Sequence, residues 1–149
     1  FRQFITDAAR AFMEQSPEAV QDLYFGLAEA IRERTPSVHD ISQWTMLRQE
    51  SMGGRTRLKA LIDANPGRYR FGERIEVYER EGGTLGLAED YANDENVTVL
   101  LKRLRDVAER FRPVFASDAE FEATFPLIKS TTDLAAARQK KPVQQMTLF

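Results

Sequence analysis

The residues of this chain best equipped for chemistry fall in three stretches. The densest run of cations lies at residues 44–74. There Arg48, Arg55, Arg57, Lys59, Arg68, Arg70 and Arg74 stand against Glu50, Asp63 and Glu73, a net charge of +4. Guanidinium and ammonium groups at that density suit phosphate, which they neutralise without reading a base sequence. The flanking stretches are acidic: residues 1–43 carry four cations and seven anions, and residues 75–149 carry ten and thirteen. The second stretch pairs Glu89-Asp90 with Asp94-Glu95. Metal-assisted phosphoryl transfer needs carboxylates converging on cations, whereas acids in this pattern read as a plain helix N-terminus. The third is the chain's last five residues, Gln145-Met146-Thr147-Leu148-Phe149. A glutamine amide, a Met and a Leu, and a terminal Phe make a short linear anchor for a groove. Burying each apolar side chain contributes roughly 1.5–3 kcal/mol before ordering costs.

Composition removes other chemistries. With no cysteine the chain has no disulfide and no thiolate metal site, and its one histidine, His39, supports neither a zinc site nor a histidine-dependent dyad. The chain has no Gly-rich phosphate loop and no nucleophile set beside a base. At 149 residues it is one domain's worth of chain, with the hydrophobic (42%) and charged (30%) fractions of a soluble globular protein. No apolar run reaches membrane-spanning length and no secretory leader is visible. Phe1 stands where a start Met would, so a piece of a longer protein is expected.

The elements that must position these groups are mostly helical. Phe1, Phe4, Ile5, Ala8 and Phe12 share one stripe, predicting a helix to about Glu14. Ser16-Pro17-Glu18 is a fresh start signal, and Val20, Leu23, Tyr24, Leu27 and Ile31 follow on one face until Thr35-Pro36, so the two helices form a hairpin. A short strand is expected near residues 44–48, with Trp44 in the core or at a domain contact beside Ile41 and Leu47. After Gly53-Gly54 a helix carries Leu58, Leu61 and Ile62 inward and stops at Asn65-Pro66-Gly67. Ile75 and Val77 alternate with Glu76 and Tyr78, a half-buried strand, and Gly82-Gly83 breaks it. Residues 84–93 read as a loop anchored by Leu85, Leu87 and Tyr91. Asn93 or Asp94 caps the longest helix, whose apolar face runs from Val97 to Phe111 until Pro113 and whose other face, with Lys102, Arg103, Arg105, Arg110 and Arg112, is basic. Arg103, Arg105 and Arg110 read there as ordinary surface. Ser117-Asp118-Ala119-Glu120 is a capping box before Phe121 and Phe125. The fold class is therefore α+β and mostly helical: a helical hairpin, a small β-sheet, a long C-terminal helix and a flexible tail. Residues 1–132 form the folded part and residues 133–149 the tail.

Two resemblances give these parts a meaning. Gln145-Met146-Thr147-Leu148-Phe149 resembles the Gln-Leu-x-Leu-Phe pentapeptide by which bacterial DNA polymerases and repair proteins hold the sliding clamp, with Met146 in place of the usual Leu. It implies that Gln145, Met146, Leu148 and Phe149 are clamp-binding. The bland alternative is a C-terminal lock in which Leu148 and Phe149 dock on their own domain. The approach from Ala135 to Val143 holds Arg138, Lys140, Lys141 and Pro142 and reads as a tether, whose 16 residues from Leu134 would reach roughly 20–24 Å.

Residues 17–115 are similar to the thumb region at the C-terminal end of family B DNA polymerases, including bacterial polymerase II. The likeness lies in the order of parts: a helix pair, the segment at 41–49, a helix with Leu58 and Ile62, a strand, and a long helix preceded by Tyr91. Phe71-Gly72-Glu73-Arg74-Ile75-Glu76-Val77-Tyr78 resembles the family's Pro-Gly-Asp-Arg-Ile pattern, with Phe71 in place of proline. Absent are the palm motifs, such as Tyr-Gly-Asp-Thr-Asp, that hold the catalytic metal ions. This segment would therefore be a non-polymerising fragment of a DNA-directed DNA polymerase, with no cofactor of its own and magnesium held in the palm. The resemblance implies that the thumb grips primer–template duplex by its phosphates, through Arg48, Arg55, Arg57 and Lys59. Gly53-Gly54 would bring backbone close to a phosphate there, and a helix start would offer free amides. The implied partners are duplex DNA and the sliding clamp, not a membrane, and the implied place is the cytoplasm, at the bacterial nucleoid. The rival reading is a non-catalytic adaptor of a DNA repair protein, recruited to the clamp by the same tail.

Overall fold

The structure, a computed structural model, describes residues 1–14, 16–48 and 56–128. The chain is α+β, with a small antiparallel sheet of three strands among the described residues. It divides into two compact units. Residues 36–96 form one of them, inserted between the two halves of the other, which comprises residues 1–35 and the chain from Val97 onward.

The discontinuous unit is helical. Helix α1 (Arg2–Met13) buries Phe4, Ala8, Ala11 and Phe12, the stripe that its spacing predicts. Helix α2 (Pro17–Arg32) starts as Ser16-Pro17 requires: the Ser16 hydroxyl accepts a hydrogen bond from the Ala19 N–H at 3.4 Å, and Pro17 occupies a position that needs no donor. The α2 face packed against α1 includes Val20, Tyr24, Ala28 and Ile31, all buried. The helix Val97–Ala108 adds Leu100, Leu101, Leu104 and Ala108. Phe125 sits at the centre of the aromatic core. Its ring centroid lies 5.1 Å from Tyr24, 5.7 Å from Phe121 and 5.9 Å from Phe115, and it also meets Phe4, Phe12 and Phe111. Two polar ties fasten the chain around it: Tyr24 Oη donates to the Pro126 carbonyl at 2.6 Å, and Gln21 Nε2 donates to the Ala123 carbonyl at 3.0 Å.

The inserted unit begins with the short helix α3 (Val38–Ile41), then β1 (Gln43–Met46), helix α4 (Thr56–Asp63), β2 (Arg74–Glu79) and β3 (Leu85–Leu87). The sheet order is β1-β2-β3, antiparallel throughout, with Thr45 opposite Ile75 and Val77 opposite Leu87. Leu47, Leu58, Leu61, Ile75, Val77 and Leu87 form its core. Helix α5 (Val97–Ala108) then returns the chain to the first unit, and α6 (Asp118–Thr124) follows. The α6 start is a reciprocal cap, Ser117 Oγ accepting from the Glu120 N–H and the Glu120 carboxylate accepting from the Ala116 N–H, each at 3.2 Å.

Four expectations need correction. Residues 84–93 are not a loop: they hold β3 and a 3-10 turn over Ala88–Asp90. Gly82-Gly83 does break β2, as expected, and turns the chain into β3, with φ of 88° and 93° that favour glycine at both positions. The long helix does not run to Pro113. It is α-helical to Ala108, and residues 109–114 tighten to 3-10 geometry that accommodates the proline. Asn93 and Asp94 lie four and three positions ahead of Val97, and Asp94 instead accepts from Tyr78 and Arg80. Trp44 is not in the core: it is 59% exposed.

Candidate nucleic-acid interface

Alternation along β1 and β2 sorts the sheet into two faces. Gln43 and Thr45 share the face of the buried Ile75 and Val77, so Trp44, Met46, Arg74 and Glu76 occupy the outer face. Trp44 and Met46 are 59% and 41% exposed there. The Arg74 guanidinium stands 5.6 Å from the Trp44 ring centroid, within cation–π range. The ladder continues beyond the strand ends: the Leu47 N–H donates to the Glu73 carbonyl at 2.9 Å and the Gly72 N–H to the Leu47 carbonyl at 2.7 Å. This places Phe71, 59% exposed, beside the chain where it leaves β1 for Arg48. Gly72 makes the bend with φ of 94°. A shallow cavity of 290 Å³ lies along this surface, bordered by Trp44, Tyr69, Arg74, Glu76 and His39.

Glu76 is anchored there. Its carboxylate accepts from the Ser42 hydroxyl and meets His39 Nδ1 at 2.9 Å. Burial alone would raise its pKa, but these two hydrogen bonds outweigh it and hold the carboxyl below its ordinary range. His39, on α3, is therefore held by a strand carboxylate.

The cations implied as phosphate grips are not gathered at one point. Arg57 donates to the Glu79 carboxylate and, at 3.0 Å, to the Gly83 carbonyl. Lys59 meets Asp63 at 3.0 Å one turn along α4. Arg48 is exposed immediately after Leu47. Arg55 and Gly53-Gly54 lie outside the described residues, as do Gln145, Met146, Leu148 and Phe149. Elsewhere in the basic zone, Arg68 bridges Asp90 at 2.7 Å and Glu89 at 3.2 Å. Arg70 and Arg74 are different, being exposed and having no ion pair with any described carboxylate. Composition alone counts all these arginines equally. The signal that separates them is the strand register, which carries Arg74 to the outer face and leaves Arg57 within reach of Glu79.

The acid-rich stretch is occupied by the protein's own groups. Asp94 accepts from Tyr78 Oη at 2.5 Å and from Arg80 Nε at 2.7 Å. Its burial opposes ionisation, yet these donors hold its pKa down. Arg68 likewise lowers that of Asp90. Tyr91 Oη donates to Glu95 at 2.5 Å, and Glu95 is buried. No group of three His, Asp or Glu side chains able to hold a metal occurs among the described residues. A larger cleft of 490 Å³ runs between α4 and the β2–β3 hairpin, lined by Asn65, Tyr78, Arg80, Gly86 and Asp94.

On the helical unit, Arg105 is buried and is not a surface cation. It meets Glu109 at 2.9 Å and Glu122 at 2.7 Å, with its guanidinium 4.5 Å from the Phe121 ring centroid. Arg112 lies 4.0 Å from the same centroid and binds Glu109 and Asp118, each at 2.7 Å. Arg112 first, then Arg105, pull the Glu109 carboxyl down to about 2. No helix among the described residues is long and apolar enough to cross a membrane. Comparison with protein-family models, with curated proteins and with solved structures gives no match.

Proposed function

We propose that this chain is the C-terminal, thumb part of a family B DNA-directed DNA polymerase. In this reading the folded part grips primer–template duplex, and the terminal Gln145-Met146-Thr147-Leu148-Phe149 tethers the enzyme to the sliding clamp in the bacterial cytoplasm. The observation that carries it is that pentapeptide, with apolar Met146, Leu148 and Phe149, preceded by Arg138, Lys140 and Lys141. The basic zone at residues 44–74, with Arg48, Arg70 and Arg74 exposed, supports the duplex-gripping half. Phosphate contacts through such groups position a duplex without specifying its sequence. Magnesium chemistry belongs to a palm in the parent enzyme, and this segment supplies retention. A clamp tether confines the enzyme near its template at an effective concentration of about millimolar, so a weak anchor suffices for processivity.

A chain lacking Leu148 and Phe149 tests the tether. Full-length chain should bind a purified bacterial clamp in sedimentation or anisotropy, the truncated chain should not, and equal binding by both would remove the clamp from the proposal. In the parent enzyme the same deletion should abolish clamp-stimulated synthesis and leave distributive synthesis intact.

A second reading, a non-catalytic adaptor of DNA repair that uses the same tail, is favoured by the internal pairing of Arg57 with Glu79 and of Lys59 with Asp63. A primed hairpin titrated at two salt concentrations separates the two readings. The thumb predicts an affinity that falls steeply with salt, and the adaptor predicts none to lose.

A further inference from the structure

We infer that the outer face of the three-stranded sheet is a platform for single-stranded DNA, with unpaired bases stacked on Trp44 and Phe71 and phosphates held by Arg70 and Arg74. The inference rests on the reading of this unit as DNA-facing and adds a second kind of DNA to it. Trp44 and Met46 stand exposed on the outer face of the edge strand, and Phe71 stands exposed on the turn into β2, next to Gly72, which is hydrogen-bonded to Leu47 just beyond the end of that edge strand. Two of them are aromatic, and an aromatic face offers stacking to any base whose own face is free. A duplex hides those faces, so gripping it needs only cations, whereas this surface offers rings as well.

Charge picks the occupant further. Arg70 and Arg74 have no ion pair with any described carboxylate, while Arg57, Lys59, Arg68 and Arg80 each have one. Two acids line the cavity along this face, and both are engaged within the protein, Glu76 by Ser42 and His39 and Glu89 by Arg68. Glu73 is the one acid on the turn between Phe71 and Arg74. Arg74, already over the Trp44 ring, would hold a phosphate while leaving the ring's other side for a base. The 290 Å³ cavity bordered by Trp44, Tyr69 and Arg74 is the space into which that base would enter.

Trp44 is the only tryptophan of the chain, so its emission reports this surface directly. The full 149-residue protein is titrated with oligothymidylate, with a primed hairpin, and with polyglutamate as an acidic polymer lacking bases. Saturable quenching by oligothymidylate is expected, and none by polyglutamate. Phe71→Ala should weaken it about tenfold, and Arg74→Gln should weaken it roughly threefold while lowering the salt dependence. Trp44→Leu, followed by anisotropy of a labelled oligothymidylate, should lose about tenfold or more. All these side chains are exposed, and a circular dichroism melt matching the parent confirms that each variant is folded. If oligothymidylate leaves the emission unchanged while the hairpin binds, the platform is wrong and the duplex grip stands. If the single strand quenches and the hairpin does not bind, the platform stands and the grip falls. Polyglutamate binding as well as oligothymidylate, or Phe71→Ala and Trp44→Leu binding like the parent, would also overturn the platform.

Discussion

The ring of Tyr78 lies close over Gly86, its direct partner across the β2–β3 ladder. A Cβ on Gly86 would stand 2.9 Å from ring carbons Cε1 and Cζ of Tyr78 and 2.9 Å from Cδ of Arg80. The glycine is there for closeness, since its backbone needs no unusual φ. Tyr78 is held on its far side by Asp94 and meets Tyr91 edge-on at 5.3 Å, so it has nowhere to retreat. Gly86→Ala should therefore destabilise the inserted unit by about 1–3 kcal/mol. A urea midpoint equal to that of the parent would show that the ring can move aside.

The same tyrosine titrates late. Burial first, and then the Asp94 carboxylate accepting its hydroxyl, push the Tyr78 pKa up to about 12. A raised pKa stabilises the fold fully below the ordinary value of 10.0, and this is lost as pH rises through about 12. Asp94→Asn should bring one phenol in an ultraviolet titration back towards ordinary values. An unchanged phenolate curve would contradict the assignment.

Acid should act elsewhere. Glu109, held at about 2 by Arg112 and Arg105, has a folded pKa below its ordinary 4.5. Its contribution is present above 4.5 and is lost as pH falls towards about 2. Glu109→Gln should flatten the fall of the thermal midpoint across that window. Because the pair is exposed, added salt should shrink the difference. Parallel pH profiles for parent and variant would mean that the pairing adds nothing.

Phe125→Ala should cost about 3–5 kcal/mol, the usual penalty for a phenyl removed from a packed core. Phe125 is fully buried among rings that contribute from α1, α2 and the chain after α5. Calorimetry would record the loss, and a change below about 1 kcal/mol would mean that the neighbouring rings collapse into the space.

Ser117→Ala should cost about 1 kcal/mol by removing the acceptor for the Glu120 N–H. This cap, like the one at Ser16-Pro17, is legible in the sequence because its chemistry is contained within four residues. Amphipathic stripes were legible for a similar reason: Phe4, Ala8 and Phe12 report their own burial through spacing alone. Strand β3 was not, since Leu85-Gly86-Leu87 acquires its identity only from pairing with β2. The exposure of Trp44 is not legible either, because β1 puts polar Gln43 and Thr45 on the face of Ile75 and Val77 and the apolar Trp44 and Met46 on the other. Nor does the sequence separate Arg70 and Arg74, which have no ion pair with a described carboxylate, from arginines such as Arg57 that have one. Whether a guanidinium meets a carboxylate depends on residues such as Glu79, 22 positions from Arg57.

The insertion of residues 36–96 also sets an order on the ribosome. Helices α1 and α2 emerge with Tyr24 and Phe12 still lacking Leu104 and Phe125, the residues that complete their aromatic core. The sheet unit has all its strands once Leu87 has been synthesised. The segment made second is therefore free to fold first, and the nascent helical pair must wait, its phenyl rings wetted, for the far half of its own core to be translated.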